Sequence, residues 1–152
     1  MPLVPRVIYA ALMWKEHRRA RRCGPNTAEE GASSQATGHT GEILAYWFLR
    51  RVGYTVVSRN LRQRPAPGEL DLVGWDGAVL AFVEVKTRTS AAAGPPESAV
   101  MRRQQQRIAR AAAIYVRRLK RKEINYRFDV VSVAWKPREG YEIKLIKDAF
   151  KG

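Results

Sequence analysis

GELDLVGWDGAVLAFVEVKTR, residues 68–88, is the stretch whose reading decides the fold. Two runs rich in apolar residues flank Asp76-Gly77, and an Asp-Gly pair between such runs is a strong two-residue hairpin signal. With that pair as the turn, Trp75 pairs with Ala78, Val73 with Leu80, Asp71 with Phe82 and Glu69 with Glu84. Side chains in strands alternate between faces with period two. Leu70, Leu72, Val79, Ala81, Val83 and Val85 are therefore expected to share an apolar face. Glu69, Asp71, Glu84 and Lys86 share the other, with Val73 and Phe82. On this register Glu84 lies directly across from Glu69 and diagonally from Asp71.

Folding alone does not ask for this. Like charges opposed on a sheet are destabilising, and two carboxylates ~5 Å apart repel by about 3 kcal/mol even at an effective dielectric of 20. A divalent cation reverses the sign, and hard oxygen ligands favour Mg²⁺ or Mn²⁺. The bland alternative is a solvated face with its charges in water. Against it stand Phe82 and Val73, which mean that part of this face is covered, and the crowding of acids on one hairpin in a chain poor in them.

Outward from the hairpin the elements are clean. On the N-terminal side, Thr40 is placed to cap a helix with Ile43, Leu44, Trp47, Phe48 and Val52 on one face, stopped by Gly53. Tyr54 to Ser58 reads as a short strand, and RNLRQRPAPG as a basic loop whose prolines keep it out of a sheet. On the C-terminal side, Ser98 is placed to cap a basic helix running to about Lys122, followed by strands RFDVVSVAW and YEIKLI around KPREG. The order α-β-β-β-α-β-β predicts an α/β domain, a central mixed β-sheet flanked by helices.

The chain has 152 residues, one ordinary domain with or without a tail. Residues 1–37, an apolar stretch followed by KEHRRARR and a segment rich in small and polar residues, read as a basic N-terminal extension and flexible linker. Residues 38–152 are the folded domain. A secretory signal would place its basic cluster before the apolar stretch. No run approaches the ~18 apolar residues of a membrane helix. A single cysteine, Cys23, excludes a disulfide framework or a multi-cysteine zinc site, which suits the cytoplasm.

The net charge is +14, from 28 basic and 14 acidic residues. The first 37 residues contribute only +3 of it, so the field belongs mainly to the folded domain. Such a charge suits a polyanion, nucleic acid foremost, although a merely basic soluble protein or one on an anionic membrane surface is the bland reading. The second helix sharpens the choice. Val100, Ile108, Ala111, Tyr115 and Leu119 form its apolar stripe, while Arg103, Arg107, Arg110, Arg117 and Arg121 fall on a separate face. That ladder suits a phosphate backbone, and almost no acids interrupt it. Gln104 is anomalous, a polar residue in the apolar stripe near the helix start. GHTGE lacks the GK[ST] ending of a phosphate-binding loop, and His17 and His39 have no partners at ligand spacing.

The string GELDLV, a short turn and FVEVKTR resembles the bipartite PD-(D/E)XK nuclease signature, with Asp71, Glu84 and Lys86 in its acidic and lysine positions. The wider pattern runs from GHTGEILAYWFLRRVGY through RNLR, GELDLV, FVEVKTR, a Gln- and Arg-rich helix and RFDVV to DAF. It resembles the YraN family of bacterial proteins, placed in the restriction-endonuclease-like superfamily, over about residues 38–150.

The resemblance implies a restriction-endonuclease-like fold and Mg²⁺- or Mn²⁺-dependent hydrolysis of DNA phosphodiester bonds, branched or damaged DNA included. Catalysis would rest on Asp71, Glu84 and Lys86. Asp71 and Glu84 would hold the metal, with the Val85 backbone carbonyl as a third ligand. Glu42 would be an added ligand of the kind junction-resolving relatives carry; an acid favourably placed in a helix first turn is the alternative. Glu69 and Gln104 would be accessory, Gln104 replacing a lysine usual in the family. Asp129 is expected to anchor a strand end. Arg62, Arg64 and Arg88 flank the hairpin and join Arg103, Arg107, Arg110 and Arg117 as phosphate-contact candidates. A homodimer would suit a symmetric junction or duplex. The competing readings are a nucleic-acid-binding module without turnover and a structural adaptor.

Overall fold

Apolar alternation and a glycine turn set the sheet, and one helix crossover closes it. The computed structural model describes residues 7–14, 30–65, 68–88, 102–121, 123–136 and 139–152. Its elements are α1 (7–14), α2 (Glu30–Arg51), β1 (Thr55–Arg62), β2 (Glu69–Asp76), β3 (Val79–Arg88), α3 (Arg102–Arg118), β4 (Tyr126–Lys136) and β5 (Gly140–Phe150). The five strands lie side by side in sequence order. Every pairing is antiparallel except β3 with β4, which is parallel. A parallel pair needs a long crossover, and the segment carrying α3 provides it. The expected α/β class, mixed sheet and element order are all present, consistent with a restriction-endonuclease-like fold.

The sheet is covered on both faces. Ile108, Ala111 and Ala112 of α3 pack with Val73, Leu80, Phe82, Phe128 and Val130. Leu44, Ala45 and Leu49 of α2 pack with Leu72, Ala81, Val83, Val131 and Val133. Tyr9 of α1 meets Phe48 of α2 with ring centroids 5.9 Å apart, and Leu12 and Met13 pack against the α2-side cluster.

The hairpin register differs from the sequence expectation by two residues. Asp76 pairs with Val79 and Val73 with Phe82, so the turn is Gly77-Ala78. Gly77 supplies the positive φ, +61°, at the first turn position, and Asp76 is held as the last strand residue by Arg127 and Lys147. A shift of two preserves which face each side chain occupies. Leu70 is the exception, packing on the α3 side although alternation groups it with Leu72. It lies beyond Leu72↔Val83, the last rung of the β2–β3 ladder, where the strands part.

Other boundaries move for local reasons. α2 begins at Glu30, so Thr40 is interior to the helix and not its cap. Residues 30–37 contain no proline and only one glycine, so nothing forces a later start. The linker expected up to residue 37 otherwise falls on residues outside those described. β1 runs on through RNLR because both prolines come later, and its end pairs Arg62 with Glu69. α3 ends at Arg118, before Lys122, because Lys120 adopts a left-handed φ of 51° that terminates helices. Val100 and Ser98 lie outside the described residues. β5 continues past Ile146 to Phe150 through a bulge at Asp148.

That bulge is tied down by Asp129, which is fully buried. Its Oδ1 accepts the Asp148 N–H at 2.8 Å and Arg127 Nε at 2.9 Å, and its Oδ2 accepts the Tyr54 hydroxyl at 2.9 Å. Burial and the Asp129 charge raise the Tyr54 phenol well above its ordinary range. Asp129 thus does the anchoring its position suggested. Replacing it removes one of the two carboxylates on Arg127, Asp76 remaining, and leaves the Asp148 N–H and the Tyr54 hydroxyl without their acceptor, losses that together cost about 3–5 kcal/mol. Asp129→Ala is expected to lose that much in urea unfolding, and Tyr54→Phe about 1–2 kcal/mol.

Candidate functional site

Where β2 and β3 part, a side chain takes the place of a backbone rung. Asp71 Oδ2 accepts the Val85 N–H at 2.8 Å, one step beyond Leu72↔Val83. Asp71 thereby comes to the same level as Glu84, its neighbour in the corrected register. Glu84 is 5 % exposed. Its Oε1 takes Lys86 Nζ at 2.8 Å and Gln104 Nε2 at 2.5 Å, and Lys86 Nζ donates to Gln104 Oε1 at 2.9 Å. Gln104 is therefore a bridge, with its carbonyl end on the lysine and its amide end on the acid. The oddity in the apolar stripe of α3 has a polar reason.

Asp71 Oδ1 and Glu84 Oε2 accept no hydrogen bond among the described residues. Each acid keeps one oxygen uncommitted, and neither oxygen is buried without a partner. Burial, then the Glu84 charge, push the Asp71 carboxyl up to about 7, with Glu42 adding to the rise and the Val85 N–H and Lys86 opposing it. Two acids are thus held together at an electrostatic cost, as the hairpin face foretold.

Glu42 approaches from the opposite side of the sheet edge. It sits well inside α2, so the helix-first-turn explanation does not apply to it. Its neighbour Gly41 is buried against β3: a Cβ there would lie 2.0 Å from Thr87 Oγ1. Only a missing side chain lets α2 come this close to the strand that carries Glu84 and Lys86. Asn60 Nδ2, on β1, donates to Glu42 Oε2 at 3.1 Å.

The acids open onto a cleft of about 470 Å³ lined by Gly68, Glu69, Asp71, Glu84, Arg103, Gln104, Arg107 and Ile108. Glu69 is on its wall, paired with Arg62 at 3.2 Å instead of with Glu84. Arg103 and Arg107 form the α3 rim, and Arg110 and Arg117 continue the exposed row beyond it. Arg121 has turned back over the Trp75 ring at 5.6 Å. The Arg64 carbonyl accepts from Arg118, and Arg88 is half-buried at the end of β3. Among the described residues no three acid, imidazole or thiol groups form a ready-made metal cage. What is present is a two-carboxylate edge with a lysine beside it.

Sequence reasoning overlooked three participants. Arg118 donates to Gln63, buried beneath it, and clamps the loop after β1. Asn60 holds Glu42. Gly41 sets the helix–strand approach, and a glycine inside an apolar-periodic helix was the available signal.

A profile described as "Uncharacterised protein family UPF0102" matches residues 41–133, which include Glu42, Asp71, Glu84, Lys86 and Gln104. The chain is similar to a UPF0102 protein of Koribacter versatilis, 43% identical over 114 residues, covering 75% of this chain and 78% of the relative. It is 44% identical over 117 residues to one of Symbiobacterium thermophilum, covering 77% and 98%. A UPF0102 protein of Solibacter usitatus is 54% identical over 96 residues, covering 63% and 73%.

The raised Asp71 carboxyl makes a pH prediction. Between about pH 4 and 7 the folded chain keeps a proton that the unfolded chain releases, so this group's contribution to stability falls as pH rises through that window. Asp71→Asn removes the slope while its amide oxygen still accepts the Val85 N–H. In metal-free buffer the variant is expected to be more stable than wild type by about 2–4 kcal/mol at pH 8, with the gain vanishing near pH 4. Denaturant titrations at the two pH values check it. Gly41→Ala is expected to lower the melting temperature by several degrees through the Thr87 clash.

Proposed function

This chain belongs to the UPF0102 family, and we propose that it is a metal-dependent endonuclease hydrolysing DNA phosphodiester bonds. The observation that carries the reading is the juxtaposition of Asp71 and Glu84, each with one uncommitted oxygen, beside Lys86. Oxygen donors of this kind suit Mg²⁺ or Mn²⁺, and Mg²⁺ characteristically binds through one or two carboxylates and keeps several waters. A complete protein cage is thus not required. Asp71 and Glu84 would hold the ion, with the Val85 carbonyl and Glu42 as the further ligands. When bound, such an ion supplies an acidified water and neutralises charge building on the phosphate.

The chain's own residues divide the remaining work. Lys86 is held two residues from Glu84 on the same strand face, and Gln104 fixes its ammonium through the amide oxygen. From there it orients the attacking water and steadies the phosphate. Gln104 positions both groups without touching the reacting atoms. Arg103 and Arg107, on the cleft rim, grip phosphates flanking the bond, and Arg110 and Arg117 extend that grip along the backbone. Glu69, tied to Arg62, shapes the far wall. The PD-(D/E)XK pattern in GELDLV and FVEVKTR supports the same chemistry.

Among the described residues no helix is long and apolar enough to cross a membrane. The same basic surface would also serve a binding protein without turnover, so the test must separate binding from cutting. Linear, nicked, single-stranded and four-way-junction DNA are incubated with Mg²⁺, Mn²⁺ or EDTA. Wild type is expected to cut at least one substrate with metal and none in EDTA. Glu84→Ala and Lys86→Ala are expected to lose about 100-fold or more in rate while binding DNA within a few-fold of wild type. Binding without cutting on every substrate defeats the proposal in favour of the binding module.

A further inference from the structure

The α2 side of the site carries a surface that the acids do not use. Glu42, Tyr46 and Arg50 are spaced four residues apart and form one row along α2, with Tyr46 and Arg50 about 6 and 12 Å along the axis from Glu42. β1 supplies the facing side. Next to the Asn60–Glu42 hydrogen bond, the exposed Arg59 guanidinium lies over the Tyr46 ring, 4.7 Å from its centroid. Arg50 Nη1 donates to the Tyr46 hydroxyl at 2.8 Å, and its guanidinium is 5.6 Å from the centroids of both Tyr46 and Trp47. Tyr46 and Trp47 meet edge-on, with centroids 5.0 Å apart.

Neither Arg50 nor Arg59 forms an ion pair among the described residues. Rings hold them in place of carboxylates, so each guanidinium is fixed in position and keeps its full charge. The row begins at Glu42, beside the point where Gly41 touches Thr87, and Thr87 follows Lys86 in β3. A strand lying on this row ends at Glu42, on the α2 side of the sheet edge that carries the acids.

We infer that the Tyr46–Arg59–Arg50 row is a stacking platform for unpaired nucleotides, so that the substrate carries a single-stranded segment beside the bond to be cut. The statement about cutting rests on the nuclease reading above; the binding does not. Aromatic rings and guanidinium planes accept any exposed base face, and splayed, unstacked bases are what they recognise. Bases inside a duplex have their faces covered by their neighbours. The α3 row differs in kind, since it offers charge along a helix to phosphates.

The test is binding in EDTA, where no metal-dependent cutting intervenes. Fluorescence anisotropy compares a labelled oligothymidylate, an abasic strand of equal length and a blunt duplex, at one salt concentration. Arg59→Lys keeps the charge and removes the planar face. It is expected to weaken oligothymidylate binding roughly tenfold, and abasic-strand and duplex binding by less than about twofold. Tyr46→Phe keeps the ring, releases Arg50 and is expected to act in the same direction but less. Equal losses on all three ligands, or no loss on oligothymidylate, overturn the platform. The two readings fail separately. A base-dependent Arg59 effect in a protein that cuts nothing leaves the platform standing and the nuclease refuted. Metal-dependent cutting with an indifferent Arg59→Lys does the reverse.

Discussion

The hydrogen bond from the Val85 N–H to Asp71 Oδ2 governs the chemistry-bearing end of this molecule. A continued backbone ladder would have kept β2 and β3 closed and spent both strands' polar groups on each other. Ending the ladder at Leu72↔Val83 and letting a carboxylate take the next N–H opens the pair while leaving that donor satisfied. Through that opening Asp71 and Glu84 face the same space. Gln104 reaches them from α3, and the Gly41 contact brings Glu42 up from α2.

The arrangement works against local stability. Burial and the Glu84 charge raise the cost of ionising Asp71, and Lys86 answers only part of it. Stability comes from elsewhere in the fold. On the α2 face of β4, one rung from the level of Glu84, a second set of buried charges, Asp129 with Arg127 and Tyr54, is bonded on every side and pins the β5 bulge. One charged cluster is complete and structural. Among the described residues the other leaves an oxygen free on each acid, which is how a functional group differs from an anchor.

Charge is distributed to match. Glu69, Asp71 and Glu84 line the cleft, which Arg103 and Arg107 border on the α3 side, while Arg50 and Arg59 border the sheet on its α2–β1 side. The borders are not equivalent. On α3 the arginines stand exposed as a ladder, whereas on α2 the guanidiniums rest on aromatic rings. A negatively charged polymer would meet charge first on one flank and flat surfaces on the other.

Much of this is legible in the sequence alone. Alternation alone put Asp71, Glu84 and Lys86 on one face of the hairpin, because side-chain facing has period two and survives a register error of two residues. Glycine turns and helical periodicity located the sheet, its crossover and the arginine row, since these are properties of neighbouring residues. Tertiary structure decided which acid stands opposite which. That depended on Asp76 being held in its strand by Arg127 and Lys147, residues some 50 and 70 positions away in the chain. It also decided that Gln104 bridges Glu84 and Lys86, that Gly41 admits α2 to β3, and that Asn60 and Arg59 meet α2. Each is a contact between elements distant in sequence, and no local pattern encodes the distance between two faces that packing brings together.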